Sequence, residues 1–216
     1  MAKTSKAKVA AAVMAEYGGT YASALGIALE RNTPAPLFQM LCASLLFGAR
    51  ISADNASRAM RALLDARLST PRAVAAATWQ ERVDVLTTHG YKRFDERTST
   101  RLGELAHRVL EEYGGDLRRL RERAERKVDR ERALLEEFKG IGDIGADIFL
   151  REIQLSWPEV YPFADEKVLK AARALGLGDS PAELARFVDR AQFPSLVAGL
   201  VRIDIGHAYD NVVHAA

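Results

Sequence analysis

The sequence predicts an all-α protein, and three observations predict it. Alanine, leucine and arginine are frequent, and runs of alternating β-branched residues are absent. Capping residues paired with proline or glutamate recur where helices would begin. Glycines stand where several of them would end. No strand is expected.

Taken in order, residues 4–17 form a first helix, stopped by Gly18-Gly19, and residues 21–31 a short second one. Pro34 and Pro36 open a third, apolar helix through Phe47, expected to be central and buried on most sides. Ser52 caps a helix to about Leu68. Thr70-Pro71 is an N-cap followed by proline at the first helical position. Thr78-Trp79-Gln80-Glu81 is a capping box, opening a short helix that stops near His89-Gly90. Tyr91 to Phe94 leads into a long helix ending at Tyr113-Gly114-Gly115. The stretch Arg118 to Arg132 carries eight basic and four acidic side chains, which reads as a solvated helix pair. Residues 131–138 and 165–175 are helical, and Ser180-Pro181-Ala182-Glu183 is another capping box. Pro194 opens the last helix, which carries Leu196, Leu200, Ile203 and Ile205.

At 216 residues the chain suffices for one large domain or two small lobes. The formal net charge is only +2, from 31 basic and 29 acidic residues, which excludes a polybasic tail protein and an acidic disordered one. The single Cys42 excludes an intrachain disulfide framework and an all-cysteine metal cluster; it lies in an apolar run as a buried thiol. His89, His107, His207 and His214 show no metal-ligand spacing. No apolar stretch reaches the ~18 residues of a membrane span, and the N-terminus does not read as a cleaved signal. The expectation is a cytoplasmic protein with no membrane partner.

The informative stretch runs from Leu135 to Leu177. In Gly140-Ile141-Gly142-Asp143-Ile144-Gly145, glycines take three of six positions between two helical runs. They let the backbone turn tightly and lie bare, with N–H groups at the start of the next helix free to meet an anion such as a DNA phosphate. An ordinary helix–helix turn has the same pattern. A dinucleotide fingerprint would need a preceding strand, and none is present. Asp165 precedes Glu166-Lys167-Val168-Leu169 and reads locally as an N-cap.

With its flanks, the stretch resembles the helix-hairpin-helix of the DNA base-excision glycosylases related to endonuclease III. Phe138-Lys139-Gly140-Ile141-Gly142 takes the hairpin place and Ala146 the small-residue place of the second helix. Phe163-Ala164-Asp165-Glu166-Lys167-Val168 takes the place of the segment whose aspartate is catalytic. Softer matches include Leu45 to Ser52, Gly90-Tyr91-Lys92-Arg93 and Gly206-His207-Ala208-Tyr209, so the resemblance covers roughly residues 34–213.

The resemblance implies a two-lobed fold with the DNA groove between the lobes. One lobe is a helical barrel of residues 34–130; the other joins 1–33 to 131–216 and holds the helix-hairpin-helix at about 131–155. It implies removal of a damaged or mismatched base from duplex DNA by a monomer associated with the nucleoid. Lys139, Gly140, Gly142 and Gly145 would meet DNA, and Arg50, at the family's wedge position, would fill the gap left by the extruded base. Asp165 would steady an oxocarbenium-like sugar or orient the attacking water.

Two departures shape that expectation. Bifunctional relatives carry a Schiff-base lysine where this chain has Ile144, so hydrolysis without strand cleavage is expected. Many relatives hold a four-cysteine iron–sulfur cluster whose first ligand would fall near Asn211; none is expected here. No cofactor is required, although a monovalent cation at the hairpin carbonyls is compatible with the resemblance. Lys139 or Lys167 as a lyase amine, and a non-catalytic DNA-binding protein that keeps the hairpin, are the alternatives. Trp79 and Trp157 are expected as core or turn anchors.

Overall fold

The computed structural model describes residues 5–49, 51–88 and 95–215, and all regular structure among them is helical. No helix there is long and apolar enough to cross a membrane. The chain divides into two compact units, one of residues 25–150 and one joining 1–24 to 151–216.

The contiguous unit is built on α3 (Pro34–Phe47), whose Leu37, Phe38, Met40, Leu41 and Leu46 are fully buried. Each such side chain contributes about 1.5–3 kcal/mol relative to exposure. Burial also pushes the Cys42 thiol far above its ordinary range, so it behaves as a small apolar residue. Helix α4 (Ala53–Asp65) starts at Ser52, whose hydroxyl accepts from the Asn55 N–H, and packs on α3. Helices α5 (Pro71–Ala76) and α6 (Trp79–Thr88) pack against α7 (Asp95–Tyr113).

The capping box at α6 is reciprocal: the Thr78 N–H donates to Glu81 at 2.7 Å, and the Glu81 N–H donates to the Thr78 hydroxyl at 3.2 Å. One buried cation ties these helices together. Arg82 donates to the carbonyls of Val74 and Ala77 at the end of α5 and of Ser99 on α7. Gly103 exists on α7 because a Cβ there would sit 2.8 Å from that guanidinium. The charged run folds as α8 (Arg118–Arg123) and α9 (Val128–Glu136), separated where Glu125 and Arg126 take left-handed backbone. Many of its side chains form surface ion pairs, Arg118 with Asp116 and Lys127 with Glu125 among them, as the composition suggested, but Glu131 in the same run is fully buried.

The discontinuous unit packs α1 (Lys6–Tyr17) and α11 (Glu166–Ala174) against α13 (Phe193–Gly206). Val13, Val168, Ala171, Leu196, Val197 and Leu200 are fully buried at that junction. Gly199 sets the approach of α1, since a Cβ there would lie 2.9 Å from Val13 Cγ1. Arg202 donates to the carbonyl of Tyr17 at 2.8 Å and lies over the Tyr21 ring. Glu152 accepts from the N–H groups of Tyr21 and Ala22 at the start of α2 (Tyr21–Ala24). Helix α12 (Pro181–Leu184) and α14 (Tyr209–Ala215) complete the unit.

Several sequence expectations are corrected. The helix expected over 21–31 stops at Ala24, because Gly26 turns left-handed, and resumes only as a 3-10 turn at Leu29–Arg31. The helix opened by Pro194 is not the last. His207 ends it in left-handed backbone, and α14 follows. The expected lobes, 34–130 and 1–33 with 131–216, stand beside contact-defined units of 25–150 and 1–24 with 151–216. Within the contiguous unit, α9 and the turn after it pair with α7: Arg108 with Glu137, and Lys139 with Glu104.

Candidate functional site

The glycine-rich turn joins α9 to α10 (Gly142–Ile153). Phe138 and Ile141 are its buried anchors, at 1% and 3% exposure, and the Ile141 N–H closes the turn on the Phe138 carbonyl at 3.0 Å. Between them the backbone must turn left-handed, with φ of +95° at Gly140 and +50° at Gly142. These are conformations that glycine adopts at little cost. Gly140 is also tight: a Cβ there would lie 2.8 Å from Leu45 Cδ1 and 2.9 Å from Arg101 Cδ. Gly142 faces open space.

The Gly145 N–H is the first in α10 to bond backward, to the Ile141 carbonyl at 2.9 Å. The amides of Gly142, Asp143 and Ile144 therefore have no acceptor within the helix, on an exposed face. Lys139, earlier on the same turn, is exposed and bridges to Glu104 at 2.8 Å. Arg101 reaches the same turn from α7.

Two predicted residues fare differently. Gly145 is buried, its N–H bonded, against Ile141 and the Ser44 carbonyl. Its role is close packing of α10 on α3, and it offers nothing to a ligand. Arg50 lies outside the described residues, as do Gly90 to Arg93. Ile144 is 63% exposed, so this large apolar side chain fills no core.

Asp165 is the N-cap of α11, and its Oδ1 accepts from the Val168 N–H at 3.0 Å. Its Oδ2 forms an ion pair with Arg151 Nε at 3.1 Å, with both side chains nearly buried, at 6% and 10% exposure. The segment leading to it is fixed by a buried amide. Gln154 accepts from the Phe163 N–H at 2.7 Å and donates to the Phe163 carbonyl at 3.1 Å, as a neighbouring strand would. Trp157 is fully buried below, as expected of a core anchor. Glu152, beside Arg151, has its carboxyl pushed above the usual range by burial, against the two N–H groups that it accepts from.

The other lysine of interest, Lys167, lies 3.7 Å from Asp204 Oδ2. Lys170 approaches Oδ1 of the same carboxylate at 3.0 Å, and the Tyr209 hydroxyl donates to it at 2.7 Å. Burial works to raise the Asp204 carboxyl, but the hydrogen bonds from Tyr209 and Lys170 and both ammonium charges outweigh it and hold it low. Burial and that same hydrogen bond push Tyr209 up to about 12.

Arg151, Gln154 and Arg101 were not singled out from the sequence. A signal for the first two exists in Ile148-Phe149-Leu150-Arg151-Glu152-Ile153-Gln154, where three polar residues interrupt the end of an apolar helix. Buried polar side chains must find partners, so such interruptions mark networks. Arg101 has no comparable signal, because it reaches the turn only through tertiary packing.

A solved structure described as a trapped endonuclease III–DNA covalent intermediate, an estranged-adenine complex, is similar to this chain at 16% identity. The match covers 77% of this chain and 73% of that one, with a TM-score of 0.49. No protein-family model and no curated protein matches the chain.

Proposed function

We propose that the protein is a DNA glycosylase that removes a damaged or mismatched base from duplex DNA by hydrolysing its N-glycosidic bond. One observation carries the reading. A hairpin whose two exposed glycines hold left-handed backbone is followed, some twenty residues on, by a nearly buried carboxylate at the head of a helix. The resemblance assigns DNA contact to the first and the chemistry to the second.

In this reading the amides of Gly142, Asp143 and Ile144 take a backbone phosphate, and Lys139 adds a point charge. Its exposed bridge to Glu104 exchanges readily for a phosphate. Arg50, proposed from the sequence alone, fills the gap left by the extruded nucleotide. The base departs with the electrons of the C1′–N bond, and the sugar gains oxocarbenium character. Asp165 steadies that charge or orients the water whose oxygen then bonds C1′. The product is an intact strand with an abasic site. Ile144 offers no lone pair for a Schiff base.

A second reading has its own support: both Asp165 oxygens are already engaged, one by the Val168 N–H and one by the Arg151 ion pair, which also suits a purely structural cap in a non-catalytic DNA-binding protein. Duplexes carrying one lesion or mismatch each, scored for base release with and without alkali, decide between them. Release from at least one substrate, with strand breakage only after alkali, is the expected result. Release from none supports the non-catalytic reading.

A further inference from the structure

We infer that Arg151 is a positioning residue for Asp165, fixing the plane of its carboxylate for base release. The inference rests on the glycosylase reading above. An aspartate held by one hydrogen bond can swing about its last torsion, which has a broad energy well. Asp165 is held at both oxygens: the Val168 N–H from its own helix donates to Oδ1, and Arg151 Nε from the last turn of α10 forms an ion pair with Oδ2 at 3.1 Å. With both engaged the plane cannot turn. Each oxygen keeps one lone pair, aimed in a set direction. The grip of Gln154 on Phe163 fixes the backbone two residues earlier, so side chain and main chain are restrained independently.

Arg151 also has an opposite effect, since its cationic charge opposes that of the carboxylate. The two effects predict opposite signs. If Asp165 acts by charge alone, removing Arg151 speeds base release. If it acts by placement, removing Arg151 slows it, because errors of about 1 Å in a reacting group cost on the order of a hundredfold. The near-complete burial of the pair favours placement. A carboxylate meant to act as a bare charge gains nothing from a guanidinium that takes one of its acceptor sites.

The test compares Arg151→Met, Arg151→Lys, Asp165→Asn and the double variant. A duplex that the intact protein cleaves at the glycosidic bond serves for both single-turnover rate and duplex Kd. Arg151→Met should lower the rate about 10- to 100-fold and leave Kd within about threefold. Arg151→Lys should recover part of the loss, since it restores the charge without the planar fork. In the Asp165→Asn background, Arg151→Met should change the rate less than about twofold, because a residue acting through another has no separate effect once its partner is gone. Arg151→Met leaves a buried carboxylate without its ion-pair partner and can fail to fold. The lysine variant and the double variant, which removes that charge, then carry the test.

Equal losses from Arg151→Met in both backgrounds overturn the inference and leave the glycosylase reading standing. So does a rate that rises or holds on loss of Arg151. Base release unaffected by Asp165→Asn, or absent from every substrate, overturns the underlying reading and this inference with it.

Discussion

Replacing Gly140 and Gly142 by alanine separates the packing of the hairpin from its proposed grip on DNA. At Gly140 the backbone φ of +95° is one that an L residue rarely adopts, a strain of roughly 1–3 kcal/mol. The new Cβ would also meet Leu45 Cδ1 at 2.8 Å and Arg101 Cδ at 2.9 Å. Leu45 is core, at 3% exposure, so relief means shifting α3 or the turn, an overpacking cost of about 1–3 kcal/mol. Gly140→Ala should therefore destabilise the protein by about 2–6 kcal/mol, against a total stability on the order of 5–15 kcal/mol.

At Gly142 the φ of +50° falls where a side chain costs roughly 1–2 kcal/mol, and nothing lies within 4 Å of the new methyl. The stiffer unfolded chain returns about 0.4–1 kcal/mol, so Gly142→Ala should cost about 1 kcal/mol. Its main effect should be on DNA. Affinity should weaken for all duplexes alike, damaged or not, because phosphate contacts carry no sequence information. Urea unfolding, read as a midpoint shift at constant slope, measures the first effect, and fluorescence anisotropy with a series of duplexes measures the second. If Gly140→Ala proves no more destabilising than Gly142→Ala, the steric argument fails. If Gly142→Ala changes preference between lesions and leaves overall affinity alone, the hairpin is not a phosphate grip.

Asp165→Asn keeps the cap and should leave duplex Kd within a few-fold while lowering base release by about a hundredfold or more; an unchanged rate removes Asp165 from the chemistry. Ile144→Lys should fold as stably as the wild type, since the side chain is 63% exposed. Borohydride should trap no enzyme–DNA adduct with the natural isoleucine, and efficient wild-type trapping at the rate of base release would expose another working amine. Tyr209, pushed up to about 12 from an ordinary 10.0, contributes stability that is complete below pH 10 and lost as pH climbs through 12. Tyr209→Phe should flatten that alkaline limb in a pH series of melts. Asp204, held below the usual carboxylate range, has the opposite sign: its contribution is present above that range and lost as pH falls through its lowered value, so Asp204→Asn should flatten the acid limb.

Helix starts were legible because caps are local chemistry. Ser52, Thr70, Thr78, Asp165 and Ser180 each sit at a helix start within three or four residues of the groups that satisfy them. Helix ends were less legible, since left-handed backbone at Arg67, Glu125, Arg126 and His207 falls on residues with no particular preference for it. Unit boundaries are legible least of all. They follow from where α9 and its turn make contact, and long-range contacts leave no trace in local pattern. The same division runs through the site. The hairpin glycines announce themselves, whereas Gly145 looks like a third of the same kind until its neighbours show it buried against Ser44.

Asp165 combines a local signal with a long-range one. Its cap was readable from Glu166-Lys167-Val168, and the cap alone gives no reason to suspect chemistry. Arg151, one helix earlier, changes what the cap means. A carboxylate needs only one N–H to cap a helix, and it can remain at the surface to do so. Here it is nearly buried, and burial of a charge is tolerated only with a partner. A cap for stability alone gains little from that arrangement, because a hydrogen-bonded serine would serve the helix without an ion to desolvate. A reacting carboxylate gains a fixed plane and a site with little bulk water, where its remaining lone pairs act at low dielectric. On the proposed reading, burial of the pair serves the substrate chemistry of Asp165 as well as its cap on α11.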